Sequence, residues 1–317
     1  MRVSVLTAYA LGASVAAVIL AGCGGAIAPQ TVHGIAAPAS ATRGIYVGLG
    51  FASTKNTILG YPLTNQKNRG PMCSETPGVG TGDISVDGKG NLMVATLGGD
   101  KVIVFLGPAM CGSRLGAIDT ALVYDAASAD AENGKIVVVN FYTSTGGNVA
   151  VCTLSGGCTT TLTNPDLAGP VGVAVAKNGD CWASGYGSAS YAVLVYFKKC
   201  AGSGQIATGF ENAYPGGLDI DRHGNLVSVD IGQGFWVYRG CNPNCKRVGG
   251  PFAYEGSTTF GHLNETSTQF AAADVKYGQI DVYRYAPSKM VYEYSFNNAM
   301  SKEDSVTGAA YNPGSKE

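Results

Sequence analysis

The chain has 317 residues, 14% of them charged, a net charge of −1 and 46 glycines. With no run of lysine and arginine to neutralise phosphates, that balance argues against nucleic acid as a partner. The glycines follow no G-X-Y period, so they read as tight turns in one large all-β domain rather than as collagen or a disordered chain.

At the N-terminus, Arg2 precedes an apolar run that extends to Leu20. A cation, a short apolar core and small residues after it make a secretory signal, too short and too rich in small residues for a permanent span. The run closes on Leu20-Ala21-Gly22-Cys23, which resembles the bacterial lipobox. The resemblance implies cleavage before Cys23, a diacylglycerol thioether on its sulfur and acylation of the new amino terminus. Several acyl chains anchor a protein stably where one does not. Gly24 rather than Asp follows the cysteine, which in lipoproteins of this type goes with release to an outer membrane. The expected organisation is a signal peptide over 1–22, a flexible tether over 23–43 and a β-rich head over 44–317. The expected setting is the bacterial cell envelope, with a monomeric head held to the membrane by its lipid anchor.

Within the head, Gly44 to Gly48 and Thr57 to Tyr61 read as two strands with no inner strand before them. Further on, glycines 90, 134, 179, 224 and 314 stand 44, 45, 45 and 90 residues apart, so the repeat near residue 269 has lost its glycine. The best-formed copy is Gly216 to Cys241. Leu218 to Asp221 alternates apolar and polar as a strand with one packed face. Arg222-His223-Gly224-Asn225 is a turn, Leu226 to Val229 a second strand and Phe235 to Tyr238 a third. Such a meander is the unit of a propeller blade. At the C-terminus, Gly308 to Tyr311 is an inner strand that stops where a second strand is due. The two chain ends therefore complete one blade between them, which closes the ring and removes exposed sheet edges. The expected fold is an all-β, six-bladed propeller of four-stranded antiparallel blades.

The pattern G-φ-x-φ-D-x-x-G-N-φ-x-V-x-D followed by V-x-V-Y, where φ is apolar, resembles the NHL-type repeats of six-bladed propellers. The resemblance spans Gly44 to Glu317 and extends in fold to gluconolactonase and streptogramin-lyase propellers. It implies a scaffold that hosts hydrolases, lyases and binding modules alike. The lactonase-type members use acidic residues and Asn around a metal, which makes Ca²⁺ or another divalent cation the cofactor to consider; otherwise none is expected.

Removing Cys23 from nine cysteines leaves eight, an even number that points to disulfides in an exported protein. Cys241 and Cys245 flank a third-to-fourth-strand hairpin, and Cys152 and Cys158 hold the matching place two blades earlier, so each pair is expected to bridge locally. Cys73 and Cys111 fall at similar positions in neighbouring blades, which leaves Cys181 and Cys200 for a bridge within one blade.

Function in propellers gathers at a mouth of the central channel. The residues just after each second strand are Leu49, Thr96, Asn140, Gly185, Asp230 and Asp274. Asn140, Asp230 and Asp274 offer oxygen ligands for a divalent cation, or they are turn residues whose side chains accept backbone N–H bonds. His262 aligns with Leu218, Ile84 and Val173 on the inner strands. It is a candidate channel-facing acid or base, or else a buried histidine satisfied by one hydrogen bond. No Ser-His-Asp order, G-x-S-x-G, phosphate loop or H-E-x-x-H occurs. The reading that follows is a non-enzymatic module that binds an envelope protein or glycan. The alternative is a metal-assisted lactonase-like hydrolase or lyase.

Overall fold

The computed structural model describes residues 43–313 apart from 51–56, 64–68, 78–79, 98–100, 106–111, 142–146, 156, 189–190, 255 and 302. The expected signal peptide, Cys23 and the tether before Arg43 lie outside the described residues. The head is a six-bladed β-propeller, each blade a four-stranded antiparallel sheet. The first blade holds β1 (Gly44–Leu49), β2 (Thr57–Pro62) and β3 (Cys73–Glu75), and the second β4 (Thr81–Val86), β5 (Leu92–Thr96), β6 (Lys101–Phe105) and β7 (Arg114–Ile118). The third runs through β8 (Ala126–Glu132), β9 (Lys135–Asn140), β10 (Asn148–Thr153) and β11 (Gly157–Leu162). The fourth holds β12 (Gly169–Val175), β13 (Cys181–Tyr186), β14 (Ala192–Phe197) and β15 (Gln205–Ile206). The fifth holds β16 (Pro215–Ile220), β17 (Leu226–Asp230), β18 (Gly234–Arg239) and β19 (Lys246–Phe252). The sixth holds β20 (Thr258–Leu263), β21 (Gln269–Asp274), β22 (Gln279–Ala286) and β23 (Lys289–Phe296), and β24 (Val306–Asn312) returns to the first. There β24 pairs with β1, Gly44 opposite Asn312 and Leu49 opposite Val306. The ring is closed by the chain's two ends.

The repeated turn explains why the blades look alike. In blade two Asp87 Oδ1 accepts the backbone N–H groups of Lys89 and Asn91 at 2.9 and 2.8 Å, while Oδ2 takes Asn91 Nδ2 at 2.9 Å. Asp221 repeats all three bonds with His223 and Asn225 in blade five. Gly224, at φ 78°, supplies the left-handed residue this turn needs. The repeat that lacks its glycine fills that place with Ser267 at φ 50°, whose N–H bonds Asn264 O as Gly224 N–H bonds Asp221 O.

Packing is shared between blades. Val227, Val229, Phe235 and Val237 of blade five form one core with Phe270, Ala272, Tyr283 and Tyr285 of blade six. Phe235 meets Phe270 and Tyr283 edge-on, with centroids 5.1 and 5.0 Å apart. At the axis the inner strands come close enough to exclude a side chain: a Cβ on Gly172 would lie 2.3 Å from Gly216 O. The bridges Cys152–Cys158, Cys181–Cys200 and Cys241–Cys245 are present. Cys73 is also disulfide-bonded; Cys111, its expected partner, lies outside the described residues.

Every inner strand runs the same way along the axis, so the loops sort between two mouths. Connections into inner strands, and those from second to third strands, reach the first mouth. The turns after inner strands and after third strands reach the second.

Candidate functional site

Asn140, Asp230 and Asp274 all stand at the first mouth, each ending a second strand and each fully buried. Asp230 Oδ2 accepts Ala213 N–H at 2.5 Å and Tyr214 N–H at 3.4 Å, from the loop that enters its own inner strand. Its Oδ1 accepts Gly232 and Gln233 N–H at 2.8 and 3.0 Å, from the turn that follows. Asp274 does the same with one oxygen: Oδ1 takes Ser257, Lys276 and Tyr277 N–H at 3.1, 2.9 and 3.3 Å. Asn140 Oδ1 takes Tyr124 N–H at 3.1 Å and its Nδ2 donates to Leu122 O and Asn148 Oδ1. One job recurs in three blades, which is to latch the entry loop to the second-to-third-strand turn. A carboxylate whose lone pairs face backbone N–H groups presents little to a cation. Among the described residues no three His, Cys, Asp or Glu side chains converge as a metal-ligating set. Asp274 Oδ2 differs, being buried without a hydrogen-bond partner, as is Oγ1 of Thr258 on the paired strand.

His262 lies in the central channel, but one position from where the glycine alignment puts it. Strand pairing sets Leu218 opposite Ser228 and Gly261 opposite Ala272, each two residues before the mouth residues Asp230 and Asp274. Gly261 is therefore the counterpart of Leu218, and His262 is the counterpart of Asp219. The alignment slips because the turn after β20 runs from Asn264 to Gln269, one residue longer than Asp221 to Asn225. One residue of slip moves a side chain from core to channel.

There the imidazole is gripped from both sides. Nε2 lies 3.2 Å from Asp83 Oδ1 of blade two and Nδ1 lies 3.5 Å from Asp219 Oδ2 of blade five. Asp83 Oδ2 also accepts Ser128 Oγ–H at 2.8 Å. Burial alone would push the His262 pKa down, but Asp83 and Asp219 hold it well above the ordinary value. With both nitrogens turned to carboxylates, the site favours the charged ring, Nε2 hydrogen-bonding Asp83 while Nδ1 faces Asp219 at ion-pair distance. A doubly engaged imidazolium has no lone pair for a general base, so the contact works as a clamp across blades two, five and six. Asp130 completes the group. Its Oδ1 and Oδ2 accept Ala131 and Val175 N–H at 2.8 and 2.7 Å. Burial raises its pKa to about 7, Asp219 adding to the rise while His262 and the two N–H bonds oppose it. His223 is exposed in a second-mouth turn, away from this group.

The sequence reading missed Asp83, Asp130 and Asp219 as companions of His262. It also missed the aromatic side chains of the first mouth. Tyr191, Tyr214, Tyr277 and Phe141 are 53, 48, 43 and 38% exposed, and they come from four successive blades. Tyr214 lies over Gly232, where a Cβ would come 2.6 Å from its ring. Tyr254 reaches the same mouth and donates its hydroxyl to Ile231 O. Reading the second-to-third-strand loops as a column would have shown an aromatic residue in four of them, Phe51, Phe141, Tyr191 and Tyr277.

This geometry has relatives in fold. A chain from a nidogen–laminin complex superposes with a TM-score of 0.66 at 12% identity, over 85% of this chain and 98% of that one. A protein of unknown function from Bacteroides caccae gives 0.57 at 10% identity, covering 85% and 98%. A candidate 6-phosphogluconolactonase from Bacteroides fragilis gives 0.57 at 9% identity, covering 90% and 99%. No protein-family model and no curated protein matches the sequence. At these identities the likeness is one of fold. Propellers of this shape serve more than one function, so the side chains at the mouth and in the channel carry the argument.

Proposed function

We propose that the chain is a lipid-anchored envelope protein whose propeller head binds a protein or glycan partner at its first mouth. The observation that carries this reading is the set of half-exposed aromatic rings there, Phe141, Tyr191, Tyr214 and Tyr277. Large rigid side chains with few rotamers bind at low entropic cost, and tyrosine adds a hydroxyl for polar contacts. Asn140, Asp230 and Oδ1 of Asp274 are spent on backbone latches at the same mouth, which leaves the aromatic rings as its largest exposed side chains. The test is a screen of the purified head against arrayed envelope glycans and envelope proteins, repeated with Tyr191→Ala, Tyr214→Ala and Tyr277→Ala combined. Affinity should fall by roughly a hundredfold, since two or three anchors dominate such surfaces. A ligand held equally well by the triple variant would sink the reading. Metabolic acyl labelling that disappears in Cys23→Ala checks the anchor separately.

The second reading, a metal-assisted lactonase-like hydrolase or lyase, is supported by one feature, the partnerless Asp274 Oδ2 beside Thr258. It predicts that Ca²⁺ or Mg²⁺ raises the melting temperature and that Asp274→Asn removes the effect. A melting temperature indifferent to both ions would end it.

A further inference from the structure

The second mouth is chemically the opposite of the first. Among the described residues, only Lys101 and Lys276 of the lysines and arginines stand at the aromatic mouth. Lys89, Lys177, Lys199 and Arg222 lie exposed in second-mouth turns of blades two, four and five. Lys135 joins them: its Nζ donates to Lys199 O at 2.9 Å, while Lys199 Nζ donates to Asn178 O. These acceptors are carbonyls, which satisfy the ammonium groups without cancelling their charge. Two of the nearby carboxylates face inward. Asp221 is buried and holds its own turn and Tyr285 Oη, and Asp180 is buried and takes Tyr196 Oη, Asn178 Nδ2 and Lys199 N. Glu265 is exposed and Glu132 half-buried in turns of the same mouth, so the face carries carboxylates as well, but its exposed cations outnumber them.

A second observation concerns where the chain enters. Because β1 starts opposite Asn312, the far end of inner strand β24, Arg43 stands at the second mouth, where its Nε donates to Pro313 O at 3.0 Å. The segment that leads from Cys23 is therefore joined to the head at the basic face.

We propose that this face docks on the anionic headgroups of the membrane that holds the anchor, so that the aromatic mouth points away from the bilayer. The proposal rests on the lipid-anchor reading for its choice of a membrane over another polyanion. Lipid chains and basic residues act together in such anchoring, each juxtamembrane cation adding to attraction that fades within a Debye length. The cations are spaced around a ring, which suits a flat charged surface better than a single bound ion.

The test uses the mature chain from Gly24, exported behind a cleavable non-lipoprotein signal, so that docking is read without the acyl chains. It should co-sediment with phosphatidylglycerol–phosphatidylcholine vesicles at low salt, be released at high salt and ignore pure phosphatidylcholine vesicles. Lys89→Glu, Lys177→Glu, Lys199→Glu and Arg222→Glu together should cut the partition coefficient by roughly tenfold or more, whereas Lys101→Glu with Lys276→Glu should leave it unchanged. A second set with Gln in place of Glu, matched to the parent in melting temperature, should give a smaller loss of the same sign. Failure to bind anionic vesicles, equal binding by the quadruple variant, or binding to heparin without binding to vesicles would each overturn the proposal. Because the protein in this assay carries no lipid, an absence of acyl label on the native chain would count against the anchor and leave the vesicle result readable by itself.

Discussion

The carboxylates at the first mouth and those in the channel are both drawn out of water, Asp219 only in part, and are satisfied differently. At the mouth, Asp230 is surrounded by four backbone N–H groups, all from its own blade's loops. In the channel, Asp83 and Asp219 also accept backbone N–H groups, from Ile84 and from Ile220 and Leu263, but they come from different blades and share one imidazolium. A backbone N–H cannot be titrated or moved without unfolding the loop, so the mouth latch is local and repeats blade by blade. The imidazolium can lose its proton, so the channel clamp is long-range, singular and dependent on pH. Buried acids in one propeller are therefore no guide to a shared role.

The sharpest way to break the comparison is to remove the shared cation. His262→Gln leaves two carboxylates facing each other with no counter-charge, and it should destabilise the head by about 4 kcal/mol at neutral pH, the usual cost of breaking a buried ion pair. Urea unfolding measures it. The same cation gives stability a pH dependence. A histidine held above its ordinary 6.5 favours the folded state below that value, and the favour is lost as pH rises through the folded pKa. Asp130 works in the same direction at lower pH: its folded value of about 7 against an ordinary 3.8 costs stability as pH climbs between them. Wild-type stability should thus decline from weakly acid to alkaline pH. By NMR the His262 ring, identified by its absence in His262→Gln, should still be an imidazolium at neutral pH. A ring that titrates at its ordinary value would show that the clamp does not form.

Next in size is the latch. Asp230→Ala strips four backbone donors of their acceptor in a buried loop, and the loss should be about 3 kcal/mol. Damage should stay local, with hydrogen exchange speeding up around residues 213 and 232 while the opposite blades keep their protection. Exchange that rises evenly around the ring would show that the mouth carboxylates hold blades together after all.

How much of this was legible follows from the same contrast. Turn chemistry repeats, so glycines spaced by 44 or 45 residues gave away the blades, and the unfinished blades at the two chain ends gave away the closure. The latches share that period, which is why Asn140, Asp230 and Asp274 could be picked out as one column. The clamp does not repeat. It joins blades two, five and six through residues 179 and 43 positions from His262, and a turn longer by one residue hid even the face on which His262 sits. The basic face was hidden for a related reason. Its cations are single residues a repeat apart, so no run of charge exists until the ring stacks Lys89, Lys135, Lys177 and Arg222 on one side.

The smallest expected effect is the most informative about the mouth. Asp274 keeps three N–H bonds on Oδ1 and leaves Oδ2 alone. Asp274→Asn preserves the shape and the accepting oxygen while removing the charge that strengthens those bonds, so it should cost only about 1 kcal/mol. Its oxygen must face Ser257, Lys276 and Tyr277, which puts the amide nitrogen where Oδ2 was. There is little room to re-aim it, since a Cβ on Gly256 would already fall 1.9 Å from that atom. If Oδ2 is a spare atom of a latch, the variant melts slightly below wild type and neither protein responds to Ca²⁺. If Oδ2 is a ligand, the wild type gains stability with Ca²⁺ and the variant gains none. The size of the calcium response, rather than the loss in stability, decides whether the sixth blade's carboxylate does what Asp230 does.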